Sequence, residues 1–307
     1  MQMSALLTKM LLFVVVILLG MFGAKKKILT AEFNRGLSWL LVNVFIVASI
    51  INSVISMDAA SFSFKEVGFI LLISSLTFVV IYLLGALTVR LLRVDRDKAP
   101  QLELLMSAVN NLFVTLPVVE AIHGSRGAFV IALGCIPFNL ILFSYGLAVL
   151  RGKREGSFRL KNILSAPLIA TVFAVVLFAL RVPVPAGVRS IISSLAAATV
   201  PLSMLLVGSS LGNVQLLKAL RDKTMYILIA ERFLLAPLVM LFVMKLVCAD
   251  SMLSDAMVIT AASPSAILVT ALSLQTGRSG EYSSEGILVT TLLSLITLPI
   301  TAYLLLL

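Results

Sequence analysis

Two polar, helix-breaking interruptions lie inside long apolar segments of this 307-residue sequence. A break in a membrane helix leaves backbone N–H and C=O groups without partners, and in hydrocarbon this is costly unless they face protein, water or a ligand. The N-terminus of a half-helix carries about half a positive charge and therefore suits a carboxylate. These breaks predict reversible anion binding. The candidate substrate-binding residues are Asn110, Asn111, Thr115 and Pro117 in the first break, and Ser263, Pro264 and Ser265 in the second.

The two breaks occupy equivalent positions of an internal repeat. Asn110 and Ser263 are 153 residues apart, which is about half of the chain. The same shift places a Gly-Ser-Arg-Gly sequence at 124–127 on a Gly-Arg-Ser-Gly sequence at 277–280. Interruptions at corresponding positions of two halves are the best sequence indication of the binding site of a secondary transporter.

The composition excludes an ordinary soluble domain, because 60% of the residues are hydrophobic and 12% are charged. Ten apolar runs of about 20 residues are long enough to cross a hydrocarbon core of roughly 30 Å. The sequence therefore predicts an all-α integral membrane protein with ten transmembrane helices. The predicted spans are 5–24, 37–56, 67–89, 101–122, 128–150, 163–181, 190–211, 224–247, 254–275 and 285–306.

Lysine and arginine concentrate in alternate loops. Loops 24–36, 90–98 and 151–161 contain 4, 4 and 5 of them, and the basic side is expected to be cytoplasmic. Both termini are then outside the cytoplasm, in a bacterial inner membrane. Each half, 1–153 and 154–307, holds five spans, and an odd number inverts the second half relative to the first. The net charge of +10 predicts contact with lipid headgroups and not with nucleic acid, since the basic residues are spread over several loops.

No cofactor, metal site or enzymatic activity is predicted. His123 is the one histidine, and Cys135 and Cys248 lie in or beside apolar spans. No cluster of His, Cys and carboxylates has the spacing of a metal site, and no glycine-rich phosphate loop is present. No spacing places a nucleophile beside a base. Any transport must therefore take its energy from gradients.

Several apolar motifs, each weak by itself, occur in an ordered series along the chain. They are Asn110 with Leu116-Pro117, Val200-Pro201-Leu202, Arg232 with Ala236-Pro237-Leu238, and Ala261-Ala262-Ser263-Pro264. In this order and spacing the chain resembles the auxin efflux carrier family, of the bile acid/auxin transporter superfamily, over essentially its full length. That family includes plant auxin exporters and bacterial organic-anion carriers.

The resemblance implies a ten-helix fold of two inverted five-helix repeats in which the broken helices four and nine cross. It also implies elevator-like alternating access, with helices one, two, six and seven as scaffold and helices three to five and eight to ten carrying the site. The sequence departs from the family at Leu112 and Thr115, where glycines are frequent, and at Val47, where proline is usual. About 15 residues replace the long hydrophilic central loop of the plant exporters, so auxin is not the expected substrate.

Polar side chains inside the spans are candidates for ion coupling or for the counter-charge of an anion, because a charged group at a helix centre costs about 2.5–3.5 kcal/mol. Arg232 is a candidate counter-charge, with snorkelling to the cytoplasmic surface as the alternative. Glu120 is a candidate acceptor of a coupling proton or cation, with an interfacial position as the alternative. Asn43 and Asn139 are further candidates, and interhelical hydrogen bonds are their alternative role. Glu231 also lies in the eighth span.

The sequence predicts a secondary transporter of small organic anions, such as mono- or dicarboxylates. H+ and Na+ are the candidate coupling ions. Two alternatives stay open, a sodium-coupled symporter of the bile-acid type and a membrane sensor or scaffold without turnover. Gly208 and Gly212 form a small-residue pair that suits either a homodimer or close packing against a neighbouring helix of the same chain.

Overall fold

The computed structural model describes residues 2–55, 63–152, 166–180, 182–211 and 219–305. Within these ranges the protein is built from helices and contains no named strand. Six helical stretches of the described residues are long and apolar enough to cross a membrane, so this is a multi-pass integral membrane protein. They are Glu32–Ile55, Phe64–Leu91, Asn111–Arg151, Ala186–Ser209, Lys223–Val247 and Gly280–Leu305.

The helices of the first half correspond to the first five predicted spans. They are α1 (Gln2–Lys25), α2 (Ala31–Leu40), α3 (Ile46–Ile55), α4 (Phe64–Leu91), α5 (Ala99–Ser107), α6 (Leu116–Ile141) and α7 (Leu147–Arg151). π-helical turns occupy Leu41–Phe45, Asn111–Thr115 and Leu142–Gly146. The predicted span 101–122 is therefore interrupted after α5.

The helices of the second half overlap the remaining five predicted spans. They are α8 (Ala166–Leu180), α9 (Ala186–Leu211), α10 (Lys223–Ala230), α11 (Ala236–Val247), α12 (Ser251–Ala262), α13 (Leu268–Gln275) and α14 (Gly280–Leu305). A π-helical turn, Glu231–Leu235, joins α10 to α11. The predicted span 254–275 is interrupted between α12 and α13.

The boundary that the sequence places between the fourth and fifth spans is a break at Gly124, where two helical segments of α6 meet at a kink. Gly124 has φ of 65° and ψ of −157°, a backbone conformation that residues with a side chain rarely adopt. Helical residues continue on both sides, so Asn111–Arg151 is one stretch of 41 residues. One glycine thus supplies the change of direction that the sequence analysis assigned to residues 123–127.

Prolines account for two of the π-helical turns. Pro237 has no N–H to donate to the preceding turn, and Ala236 donates to the carbonyl of Glu231, five residues earlier. Pro117 follows the turn Asn111–Thr115 at the same spacing. Wider turns of this kind are frequent at functional sites. Here they contain four of the residues that the sequence singles out, Asn111, Thr115, Glu231 and Arg232.

The chain forms two compact units, and each draws on both halves of the sequence. The first consists of the described parts of Met1–Leu71, Leu112–Ile136 and Leu164–Asn213. In it α1 and α9 pack closely at Gly208. A Cβ added to this glycine would collide with the backbone of Ile17. Gly208 therefore packs against a helix of its own chain. Gly212 lies outside the described residues.

The second unit consists of the described parts of Leu72–Asn111, Pro137–Ile163 and Val214–Leu307. Polar contacts hold its loops together beside the basic segment 90–98. The Nζ of Lys98 lies 2.6 Å from the carboxylate of Asp222, which also caps α10 by accepting a hydrogen bond from the Thr224 N–H at 3.0 Å. Arg278 donates from Nε to the carbonyl of Leu150 at 2.6 Å. Segments far apart in sequence are joined in this way within the unit.

Candidate functional site

Both predicted breaks are present in the structure, and their extended segments, 108–110 and 264–266, lie in the second unit. The first follows α5, where Ala108 has an extended backbone with ψ of 113°, and helical structure resumes at Asn111. The second follows α12, where Ser263 is extended with ψ of 151°, and the helix resumes at Leu268. Each break thus inserts a short extended segment into a helical span.

The two extended segments pair with each other through their backbones. The Asn110 N–H donates to the carbonyl of Pro264 at 2.8 Å, and the Ala266 N–H donates to the carbonyl of Ala108 at 2.8 Å. Val109 and Ser265 form an antiparallel bridge between these two bonds. Backbone groups that lost their helical partners therefore satisfy one another, which removes much of the cost of breaking a helix in hydrocarbon. We call residues 108–110 and 264–266 the crossover.

Serine hydroxyls brace the crossover. The Ser265 Oγ donates to the carbonyl of Leu105 at 2.6 Å, while the Ser263 Oγ donates to the carbonyl of Ile259 at 2.8 Å. The Ser265 N–H donates to the Oγ1 of Thr290, on α14, at 3.2 Å. A hydroxyl has one proton to donate. In this conformation both serine protons are used for the protein's own backbone, so the donors for an anion must come from other groups.

Asn110 and Asn111 are buried at the crossover, with 4% and 3% of their surfaces exposed. The Asn111 N–H donates to the carbonyl of Val109 at 2.9 Å. Its side-chain Oδ1 is buried without a hydrogen-bond partner among the residues that the structure describes. An asparagine amide offers both donors and acceptors, so Asn111 brings an unused polar group to the end of the first break.

Arg232 contacts the same region from the π-helical turn between α10 and α11. Its side chain is fully buried, and Nη1 donates to the carbonyl of Met106 in the last turn of α5. The carbonyls of a last helical turn have no helical partner and a partial negative charge, so a cation there is favourable. The Nε and Nη2 atoms have no hydrogen-bond partner in the described part of the chain. The guanidinium is therefore held at the crossover with donor capacity to spare, and it does not snorkel to the surface.

The remaining candidate residues are distributed over both units. Thr115, Pro117, Glu120 and Asn43 belong to the first unit, and Asn139 belongs to the second. Thr115, Pro117 and Asn139 are buried, whereas Glu120 and Asn43 are partly buried. Asn43 donates from Nδ2 to the carbonyl of Trp39 in its own helix at 2.8 Å. The structure thus brings five of the candidates, Asn110, Asn111 and Ser263–Ser265, together with Arg232.

Sequence reasoning missed two polar groups of the second unit. Thr290 supports the crossover through the N–H of Ser265, and its signal in the sequence is a hydroxyl in the middle of an apolar span. Tyr82 is buried, and its hydroxyl has no hydrogen-bond partner within the described ranges. Its ring lies edge-on to that of Tyr145 at 5.7 Å between centroids, and the Tyr145 hydroxyl donates to the carboxylate of Glu103 at 2.5 Å.

Membrane-spanning helices and a pair of crossed breaks define a multi-pass membrane protein of the transporter class. Residues 5–159 and 155–302 match the family described as membrane transport protein. The chain belongs to this family, which is the auxin efflux carrier family that the sequence motifs resemble.

A curated relative extends over nearly the whole chain. It is described as an uncharacterized transporter of Methanothermobacter thermautotrophicus. The two sequences are 26% identical over 288 residues, which cover 93% of this chain and 94% of the relative. The similarity therefore includes the described helices of both units.

Proposed function

We propose that this protein is a secondary transporter of small carboxylates whose substrate binds at the crossover, beside Asn111 and Arg232. The observation that supports this best is the fully buried Arg232, whose Nε and Nη2 have no hydrogen-bond partner among the described residues while Nη1 bonds the broken end of α5. A planar guanidinium suits a carboxylate because it can form two parallel hydrogen bonds. Rotation of the Asn111 amide, so that Nδ2 takes the place of the unpartnered Oδ1, would supply a neutral donor next to it.

In this proposal the fold is a ten-helix inverted repeat that works by elevator-like alternating access. Helices one, two, six and seven are the scaffold, and helices three to five and eight to ten carry the site. The protein lies in a bacterial inner membrane, with its basic loops in the cytoplasm and both termini outside the cytoplasm. Moving one net charge across 100 mV is worth about 2.3 kcal/mol, so an inside-negative potential favours export of a free anion. Uptake requires a co-transported cation.

Flux measurements in proteoliposomes test the proposal. Vesicles loaded with unlabelled lactate or succinate are diluted into the radiolabelled compound, and exchange is followed without any ion gradient. Arg232→Gln and Asn111→Ala should reduce exchange at least tenfold. Arg189→Gln is the matched control, because Arg189 is an exposed arginine of α9, and it should exchange at the wild-type rate.

Each result supports or refutes one of the candidate functions. Loss of exchange in Arg232→Gln together with a normal Arg189→Gln supports a site at the crossover, while full activity in both Arg232→Gln and Asn111→Ala refutes it. Saturable binding of succinate without flux would favour the sensor or scaffold. Exchange that requires sodium would favour the bile-acid type of symporter.

A further inference from the structure

A groove in the second unit leads to a buried acidic side chain. Its volume is about 390 Å³, and it lies between the C-terminal end of α4 and the helical stretch that begins at Lys223. Leu92 and Tyr226 line it and are 54% and 56% exposed, while Glu231 lines it and is 2% exposed. The groove therefore extends from the end of α4, next to the basic loop 90–98, to the Glu231 side chain, whose carboxyl oxygens are themselves buried.

The Glu231 carboxyl has no compensating hydrogen bond. Neither Oε1 nor Oε2 has a hydrogen-bond partner among the residues that the structure describes. An ionised carboxylate in apolar surroundings is strongly disfavoured unless it is paired and hydrogen-bonded, whereas the protonated acid loses most of that penalty. A buried ionisable group inside a membrane span is by default a functional group. The Glu231 side chain also forms part of the groove wall.

Arg232 is the neighbouring cation that acts electrostatically on Glu231. The two residues share one π-helical turn, and Arg232 is fixed to the carbonyl of Met106 at the crossover. The charge state of Glu231 is therefore linked to the guanidinium that faces the proposed substrate.

Other titratable groups on the elements packed against this turn lie towards helix ends or on the groove wall. Tyr226 is on the groove wall. The remaining groups are Arg90 on α4, Glu103 on α5, Lys223 on α10, Lys245 on α11, Asp255 on α12, and Glu281, Tyr282, Glu285 and Tyr303 on α14, while Tyr82 lies further inside α4. Arg232 is adjacent to Glu231 in the chain, so its positive charge is the one that a negative charge on Glu231 offsets most directly.

The groove suits a proton better than a metal cation. Hard cations take six or more oxygen ligands when they are held by protein groups. Apart from Glu231, the lining side chains with an oxygen atom are Thr88 and Tyr226. Two hydroxyls and one carboxyl are too few for such a shell, whereas one carboxyl is sufficient for one proton.

We propose that Glu231 is the proton-binding site that couples carboxylate movement to the proton gradient, with the groove as the proton path; this rests on the proposed function. When no substrate is bound, the positive charge of Arg232 offsets part of the cost of an ionised Glu231, and when an anion takes up that charge the protonated acid is favoured. When a monocarboxylate pairs with Arg232, the two residues and the substrate would have a net charge of −1, and one proton on Glu231 brings it to zero. Anion and proton therefore bind together and cross as an electroneutral pair.

Lactate accumulation in proteoliposomes tests the coupling. With an outside pH one unit lower than inside, one co-transported proton gives about tenfold accumulation of lactate at equilibrium, and a membrane potential imposed with valinomycin adds nothing to it. Glu231→Gln imitates the protonated acid, so it should keep lactate exchange but accumulate none. Glu231→Asp retains a titratable acid and should retain accumulation. Glu281→Gln is the matched control, since Glu281 is an exposed acid of the same unit, and should behave as wild type.

Accumulation by Glu231→Gln at the wild-type level overturns the coupling, even though exchange would still support the carboxylate site. If the wild type exchanges no carboxylate, the proposed function fails, and infrared difference spectra across a pH titration still test Glu231. The expected result is a carbonyl band of a protonated carboxylic acid that is lost in Glu231→Gln and kept in Glu281→Gln. Absence of that difference overturns the proton site.

Discussion

The substitution Ser265→Ala tests how strongly the second break is tied to the first. The Ser265 Oγ donates to the Leu105 carbonyl at 2.6 Å, and the side chain is fully buried. Alanine removes this bond and leaves the Leu105 carbonyl without it. Interhelical hydrogen bonds of membrane proteins contribute about 0.6 kcal/mol on average and about 1.7 kcal/mol at most. Because this bond is short and buried, we expect the free energy of unfolding to fall by about 1–1.7 kcal/mol.

Ser263→Ala is the matched control for this prediction. Ser263 is also fully buried, but its hydroxyl donates to Ile259, four residues earlier in its own helix. Such a bond competes with the helix and adds little to its stability. The loss should stay below about 0.5 kcal/mol, the lower limit for an ordinary intramolecular hydrogen bond.

Reversible unfolding in mixed micelles, titrated with SDS and followed by helical circular dichroism, measures both losses. The slope of free energy against denaturant should be the same for the two variants and the wild type, because each removes one oxygen atom and leaves the fold intact. Equal losses at the two serines, or a larger loss in Ser263→Ala, would show that the Ser265 bond does not hold the crossover together.

Two further predictions concern packing and pH. Gly208→Ala places a methyl group against the backbone of α1 and should cost about 1–3 kcal/mol in the same unfolding assay, as overpacking does, whereas Gly187→Ala, which meets nothing within 4 Å, should cost nothing measurable. The hydrogen bond to Asp222 raises the pKa of Lys98. Burial opposes ionisation of Asp222, but the hydrogen bonds from Lys98 and Thr224 outweigh this effect and keep the pKa of Asp222 below its ordinary value. Asp222 therefore stabilises the folded protein above its unfolded-state pKa, and this stabilisation is lost as the pH falls through its lowered folded-state pKa. Lys98 stabilises the folded protein below its unfolded-state pKa, and this stabilisation is lost as the pH rises through its raised folded-state pKa. Unfolding across pH should show Asp222→Asn destabilised by at most about 1 kcal/mol between about pH 4 and pH 10, because Lys98 is 43% exposed and screened. A loss that does not shrink as the pH falls below the ordinary aspartate pKa of about 3.9 would contradict this origin.

The positions of the breaks could be predicted from the sequence, because their signals are local. Proline and paired asparagines in an apolar run disfavour a continuous helix, and Pro264 and Asn110 mark the two extended segments of the structure. The boundary between the fourth and fifth spans has a local signal too, since Gly124 lies between two apolar runs and is the residue at which the two helical segments meet. The family assignment also followed from ordered motifs and is confirmed.

The contacts that build the candidate site could not be predicted, because they join residues distant in sequence. Nothing local to Ser265 shows that its proton is used by Leu105, 160 residues away. The sequence identifies Arg232 as an ionisable residue in a span, but its bond to Met106 requires the packing of α10 against α5. The roles of Asn43, Asn139 and Glu120 in coupling stay predictions.

The pairing of the crossover segments also separates the architecture of the site from its selectivity. Its two bonds and its bridge are made by main-chain atoms of residues 108–110 and 264–266, and any residue except proline at the donor positions can make them. Side chains at Val109, Asn110 and Asn111 are therefore free to vary over evolution without loss of the joint between the half-helices. Under the proposed function, substitutions of these side chains would change which substrate binds and leave the joint itself unchanged.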